Sequence, residues 1–325
     1  MRLENLELVH FQLTRNCNLR CWFCGQWGKK GFFRDAAGSA MQLPDWLRIA
    51  EELKSGCEAL PSILLWGGEP LLYPDFDALV SSLYQMGFPL GMVTNGTLLD
   101  RHLDACRSCF RHIYVSVDGT QSVHDAIRGT GSYQKVLANM QLLRERTATV
   151  SLMTVLTQPV LDTLPETLRS FSVFGADEVL LQEQIALSAE EIRQYARWLR
   201  EQFSQEASEI ASWEGTAPEP AAMRETVEQA LLTASHLPFS VRYLPHGALC
   251  GKQCSSPKHH AHIAWNGNVL FCTDFYDFSA GNVHRQPLLS ILRNELSERF
   301  EEEIAKGACP ACRHCSWRGS TSFRL

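Results

Sequence analysis

Leu8-Val9-His10-Phe11-Gln12-Leu13-Thr14-Arg15-Asn16-Cys17-Asn18-Leu19-Arg20-Cys21-Trp22-Phe23-Cys24 is the stretch on which the reading of this chain turns. An apolar, strand-like run ends at Leu13, and three cysteines follow in the pattern C-x3-C-x2-C. Three thiolates on one short loop can wrap one face of an iron–sulfur cube. Such a cube is normally held by four cysteines, so a set of three leaves one iron open to another ligand, to which it can pass an electron. A structural zinc site is the other reading of clustered thiols.

Further motifs follow in order. Gly67-Gly68-Glu69-Pro70 closes the apolar run Ile63-Leu64-Leu65-Trp66, and paired glycines at a strand end let backbone approach a ligand closely. Thr94-Asn95-Gly96, Val115-Ser116-Val117-Asp118-Gly119 and Ile127-Arg128-Gly129 come next. Together with the cysteine triplet these segments resemble the radical S-adenosylmethionine (SAM) enzymes, over about residues 7–184 and again 250–318. The resemblance implies a 4Fe-4S cluster on Cys17, Cys21 and Cys24 whose open iron binds SAM. It implies a cofactor-binding set of Gly67, Gly68, Glu69, Pro70, Asn95, Ser116, Asp118 and Arg128. In that set Glu69 holds the SAM amino group, and Ser116, Asp118 and Arg128 lie near the ribose and carboxylate.

Composition sets outer limits. The 325 residues suggest about two domains, and 45% hydrophobic with 20% charged content is that of a globular chain. A net charge of −6 gives no reason to expect nucleic acid as a partner. No apolar run approaches a membrane span, and the charged start Met1-Arg2-Leu3-Glu4 is no signal peptide. Twelve cysteines without an export signal argue for metal rather than disulfides, and for a reducing cytoplasm.

Strand-like runs at Leu8–Leu13, Ile63–Trp66, Pro89–Thr94, Ile113–Val117, Val150–Leu156 and Val179–Gln182 alternate with helical stripes. One stripe is Phe76, Leu79, Val80, Leu83 and Met86, closed by Gly87; another is Tyr133, Val136, Leu137, Met140 and Leu143. Alternation of this kind predicts parallel βαβ units in an α/β fold, as an open sheet or a barrel. The resemblance selects a partial (β/α)6 TIM-like barrel, with SAM at the C-terminal strand ends, where α/β folds place ligands. The expected domains are the barrel over 1–184, a helical connector over 185–246 and an auxiliary-cluster domain over 247–325. The connector carries no chemical motif; it reads as packing, with a substrate lid as the alternative.

The last segment offers six cysteines: Cys250, Cys254, Cys272, Cys309, Cys312 and Cys315. Asn266-Gly267 between two apolar runs predicts a hairpin that brings Cys272 toward Cys254. A helix predicted over Leu288–Lys306 then returns the chain to Cys309. The arrangement resembles the SPASM or twitch module of radical SAM enzymes, a small hairpin-plus-helix domain, and implies one auxiliary 4Fe-4S cluster. Cys254 and Cys272 match the hairpin positions, with two ligands from Cys309, Cys312 and Cys315, or Cys250 in place of one. Zinc is again the alternative.

Asp274, two residues beyond Cys272, has two readings. It is a base that takes a substrate proton, by resemblance to an aspartate in sulfatase-maturating relatives, although Thr273 shifts the register. Otherwise it bonds its own backbone at the hairpin end. Negative thiolates nearby are expected to raise its pKa. Cys57, Cys106 and Cys109 read as structural, and His259, His260 and His262 as exposed polar residues near a turn. Trp22 and Phe23 pack either over the cluster and adenine or in the core.

The resemblance implies cleavage of SAM to a 5′-deoxyadenosyl radical that takes hydrogen from an unactivated substrate carbon. An electron then passes to the auxiliary cluster, and a flavodoxin- or ferredoxin-type reductant supplies the first one. The expected substrate is a peptide that is oxidised, cross-linked or epimerised. The alternative is a small molecule such as an aminocyclitol or sugar alcohol, and a minor one is an electron carrier or redox sensor without enzymatic activity. No leader-recognition module is read ahead of the first strand.

Overall fold

A computed structural model describes residues 3–33, 40–246, 254 and 258–315. The first six strands lie close to their predicted positions: β1 (Leu8–Thr14), β2 (Ser62–Gly67), β3 (Leu90–Thr94), β4 (His112–Ser116), β5 (Thr149–Leu156) and β6 (Glu178–Glu183). A seventh, β7 (Ser240–Leu244), follows two outer helices, Ala189–Phe203 and Pro220–Leu232, and pairs parallel with β6. Residues 185–246 are therefore helical only in part. β8 (His260–Ile263) pairs parallel with β1, and β9 (Asn268–Leu270) and β10 (Gly281–Asn282) continue antiparallel. The result is one ten-stranded, mostly parallel sheet in the order β10-β9-β8-β1-β2-β3-β4-β5-β6-β7, and it is not closed.

The period-2 alternation of β1 explains how it serves two faces. Val9, Phe11 and Leu13 face the helices and belong to the main core, while Leu8 joins Leu64, Tyr114, Met153 and Leu180 on the concave side. Every residue of β1 is buried, as a parallel strand covered on both faces requires. The helix Leu43–Gly56 buries Trp46, Ile49, Ala50 and Leu53, one face at i, i+3, i+4 and i+7, and sets Trp46 on Phe11 at 4.7 Å. Cys57 and Cys106 lie in this core.

The hairpin forms at Asn266-Gly267, with Gly267 at φ +86°. The helix expected over 288–306 is split into Leu288–Ile291 and Glu295–Ala305. Asn294 causes the break: its side chain accepts the Ser297 N–H at 2.9 Å and donates to the Ala280 carbonyl at 2.8 Å. His262, expected to be exposed, is buried, because its alternation partner on β1 is the concave-face His10. Among the described residues no helix is long and apolar enough to cross a membrane.

Candidate active site

A cavity of about 270 Å³ opens at the C-terminal ends of the parallel strands. Cys17, Cys21 and Cys24 all line it, on the loop that leaves β1. The loop is shaped by backbone contacts. Gly28 donates to the Cys24 carbonyl at 2.7 Å, and N–H groups of Leu19 and Trp27 lie 3.4 Å from the sulfurs of Cys17 and Cys24. The Asn95 amide adds a third donor, 3.9 Å from the Cys17 sulfur. Donors to cysteine sulfur are among the protein's means of setting a cluster's reduction potential. Burial, reinforced by Glu69 and the neighbouring thiols, pushes Cys17 up to about 12. Burial likewise pushes Cys21 up to about 11, against the opposing pull of Arg128. Thiols in this state ionise when a metal centre supplies positive charge. The donor set fits a cluster.

The glycine pair does more than admit a ligand. Gly67 and Gly68 line the cavity, but their closest neighbours are backbone atoms ahead of the triplet. A Cβ on Gly67 would lie 2.4 Å from the Thr14 carbonyl oxygen, and one on Gly68 2.3 Å from that of Asn16. Gly68 and Glu69 N–H groups donate to the Thr14 and Asn16 carbonyls at 2.9 and 2.8 Å. The motif thus clamps the root of the cysteine loop to β2.

Glu69 is fully buried and is not a cavity wall. Its carboxylate accepts from the Thr94 hydroxyl (2.7 Å), the Asn95 N–H (2.8 Å) and the Leu71 N–H (3.2 Å). Burial outweighs these donors and raises its pKa to about 7. These donors take three of the roughly four acceptor positions of the carboxylate, and Pro70 is buried beside it. Glu69 holds the turn that presents Asn95, whose amide also donates to Asn18 at 2.9 Å in the cysteine loop.

Asp118 is also fully buried and off the cavity surface. It accepts from Arg128 Nε at 2.7 Å and from the Val155 N–H at 2.8 Å. Arg128 lines the cavity, with its guanidinium 6.0 Å from the Phe23 ring centroid. Burial works against its charge, yet Asp118, Cys21 and Cys24 together hold it firmly protonated. Asp118 is thus the anchor of the cavity cation, and Ser116 at the end of β4 is a wall beside it.

Thr273, Asp274 and Tyr276, from the segment after the hairpin, line the same cavity. The Tyr276 hydroxyl accepts from Gln12 and Gln26 at 3.1 and 3.2 Å, which joins this segment to β1 and to the cysteine loop. Burial raises the Asp274 pKa to about 7. Behind this wall is a second, small cavity lined by Cys254, Cys272, Cys309, Cys312 and Cys315 and by Tyr195, Trp198, Phe271, Phe275, Phe278 and Phe300. Five thiols around one aromatic-walled space fit an auxiliary cluster; Cys250 lies outside the described residues. Among the described residues no group of three His, Cys, Asp or Glu side chains is disposed to hold a single metal ion.

Several cavity residues escaped the sequence reading. Gln182 and Glu183 end β6 and Gln184 follows it, and a polar run at the C-terminal end of an otherwise apolar strand is a usable signal. Glu183 is held by the Tyr243 hydroxyl and, at 2.8 Å, the His246 N–H, so β7 buttresses this wall. Trp213, from the supposed connector, lines the cavity and donates to the Asp274 carbonyl at 2.9 Å. No local signal marked it.

The comparisons agree with this geometry. Residues 11–171 match the family model of the radical SAM superfamily, and residues 254–316 match that of the SPASM iron–sulfur cluster-binding domain. AdoMet-dependent heme synthase of Methanosarcina barkeri is 24% identical over 329 residues, 95% of this chain and 88% of the relative. Pre-heme d1 synthase of Dinoroseobacter shibae is 29% identical over 181 residues, 54% of this chain and only 42% of the relative. Among solved structures, Streptococcus suis SuiB bound to S-adenosylmethionine has a TM-score of 0.70 at 14% identity, covering 97% of this chain and 72% of that one. For anSMEcpe with bound AdoMet the values are 0.66 and 16%, covering 96% and 85%. The first family model implies a 4Fe-4S cluster with SAM, and the second auxiliary iron–sulfur binding. With both models matched in order along one chain, the protein belongs to the radical SAM superfamily and carries a C-terminal SPASM iron–sulfur cluster-binding domain.

Proposed function

We propose that this enzyme oxidises a peptide or peptide-derived substrate at an unactivated carbon. The observation that carries the reading is that one cavity is lined by both the cysteine triplet and Thr273-Asp274. A substrate there would touch walls from both segments. When bound, a 4Fe-4S cluster with SAM supplies a 5′-deoxyadenosyl radical by one-electron cleavage, the electron coming from a flavodoxin- or ferredoxin-type donor.

The chain's own residues do the rest. Cys17, Cys21 and Cys24 hold the first cluster. Gly67, Gly68 and Asn95 present backbone and amide groups along SAM. Arg128, fixed by Asp118, faces the SAM carboxylate as a charged donor, with Ser116 beside it. Cys254 and Cys272, with two of Cys309, Cys312 and Cys315, hold the auxiliary cluster. Asp274, on the wall of the same cavity, would accept the proton that the substrate loses on oxidation. Aromatic walls from Phe23, Trp66 and Tyr276 keep water from the radical.

Peptide chemistry is favoured because a structural neighbour, SuiB, is described bound to its precursor peptide. A small-molecule substrate is the second reading, favoured by the near full-length likeness to AdoMet-dependent heme synthase. The deciding experiment incubates anaerobically reconstituted enzyme with dithionite, SAM and perdeuterated peptides encoded beside its gene. Deuterium should arrive in 5′-deoxyadenosine. Transfer from a small molecule and from no peptide would overturn the substrate class.

A further inference from the structure

A second cleft of about 280 Å³ adjoins the reaction cavity. The two share Phe23, Cys24, Gln184, Ile185 and Trp213 as walls, so they adjoin. The cleft's own walls include Trp22, Ala186 and Thr216, and at its mouth Lys30 meets Glu214 at 2.6 Å. Trp22 is 47% exposed here, a large apolar ring left to solvent beside the site.

Trp213 is the partition between the two spaces, and it is fixed in place. Its ring lies so close to the cysteine loop that a Cβ on Gly25 would be 2.6 Å from it, and its indole N–H is taken by the Asp274 carbonyl. The loop that carries it is pinned as well. Asp277 accepts three successive N–H groups, from Ser208, Glu209 and Ile210, at 2.6–3.0 Å. Leu187 donates to the Trp213 carbonyl at 2.8 Å and accepts from the Gly215 N–H at 3.1 Å. This is a preformed wall rather than a flap, and preformed walls bind with little ordering cost.

We infer that this cleft is a second subsite, for an aromatic or long aliphatic residue flanking the reacting carbon of the same substrate chain. The inference rests on the peptide reading above. The walls that the cleft shares with the reaction cavity, and the three rings of Trp22, Phe23 and Trp213 that line it, point to the occupant: a segment of the same chain that passes Trp213 and lays an apolar group against the rings.

The test titrates the reconstituted enzyme with 8-anilinonaphthalene-1-sulfonate, followed by fluorescence, and then displaces it with capped tripeptides. Ala186→Trp and Thr216→Trp, which fill the cleft only, should each weaken dye binding about tenfold, while Gln182→Ala on the cavity side changes it by less than about twofold. N-acetyl-Leu-Trp-Leu-amide should displace the dye and N-acetyl-Ala-Ala-Ala-amide should not. Both Trp variants should cleave SAM like the wild type, which shows that they fold. Wild-type dye affinity in both Trp variants, or equal displacement by the two tripeptides, overturns the subsite. Failure of the peptide reading shows elsewhere, as absent deuterium transfer.

Discussion

Gly68→Ala tests the clamp between the glycine pair and the cysteine loop. The new Cβ would stand 2.3 Å from the Asn16 carbonyl oxygen and 2.5 Å from that of Arg15. Ordinary contact begins at 3.4 Å, so the backbone one residue before Cys17 must retreat by about 1.1 Å (3.4 less 2.3). The obstacle is main chain, which has no rotamer with which to step aside. Overpacking of this kind costs about 1–3 kcal/mol. The larger effect is on geometry, since a displacement of about 1 Å at a reacting centre can cost on the order of 10²-fold in rate. The assay is 5′-deoxyadenosine formation under dithionite with iron per chain measured on the same samples, and the urea midpoint reports stability. Gly215→Ala is the control, because nothing lies within 4 Å of its Cβ. Unchanged SAM cleavage and an unchanged urea midpoint in Gly68→Ala, equal to those of the control, would refute the clamp.

Three further outcomes are expected. Asp118→Asn leaves the Arg128 guanidinium, whose side chain is 9% exposed, without its counter-ion, so the urea midpoint should drop by the equivalent of about 3–5 kcal/mol and SAM affinity should weaken. The reconstituted protein should hold about eight irons per chain, falling to about four in Cys272→Ala, whereas zinc released by that substitution would contradict an auxiliary cluster. Burial lowers the His124 pKa to about 4, so the unfolded chain binds the extra proton first; its contribution is full above about 6.5 and is lost as pH falls toward 4. His124→Gln should flatten that part of the stability–pH curve, measured as urea midpoints from pH 4 to 7; an unchanged slope would count against it.

The strands were legible because their apolar runs are short, bounded by Gly, Pro or Asp, and buried on both faces. The hairpin was legible because Asn266-Gly267 between two apolar runs supplies a turn whose glycine sits at φ +86°. β7 was missed since Val241, Arg242 and Tyr243 are only partly buried at the sheet's edge, and a mixed-polarity strand of five residues resembles loop. The helix over 288–306 was read through its own break because Asn294 acts as a cap only when Ser297 and Ala280 are both within reach.

The site divides along the same line. Cysteine spacing is a local property, and so the triplet could be read from eight residues. The roles of Glu69 and Asp118 are not local. Each carboxylate looks like a ligand in sequence, next to glycine and beside a strand end. In the fold both are fully buried, and their oxygens are taken by Thr94, Asn95 and Leu71 in one case and by Arg128 and Val155 in the other. Each carboxylate, so bonded, holds a neighbouring element still. Glu69 fixes the turn that aims Asn95 at the cysteine loop, and Asp118 fixes the cation that faces Cys21 and Cys24. Motif recurrence reports that such a residue is needed; only the tertiary donors around it tell whether it touches the cofactor or positions the group that does.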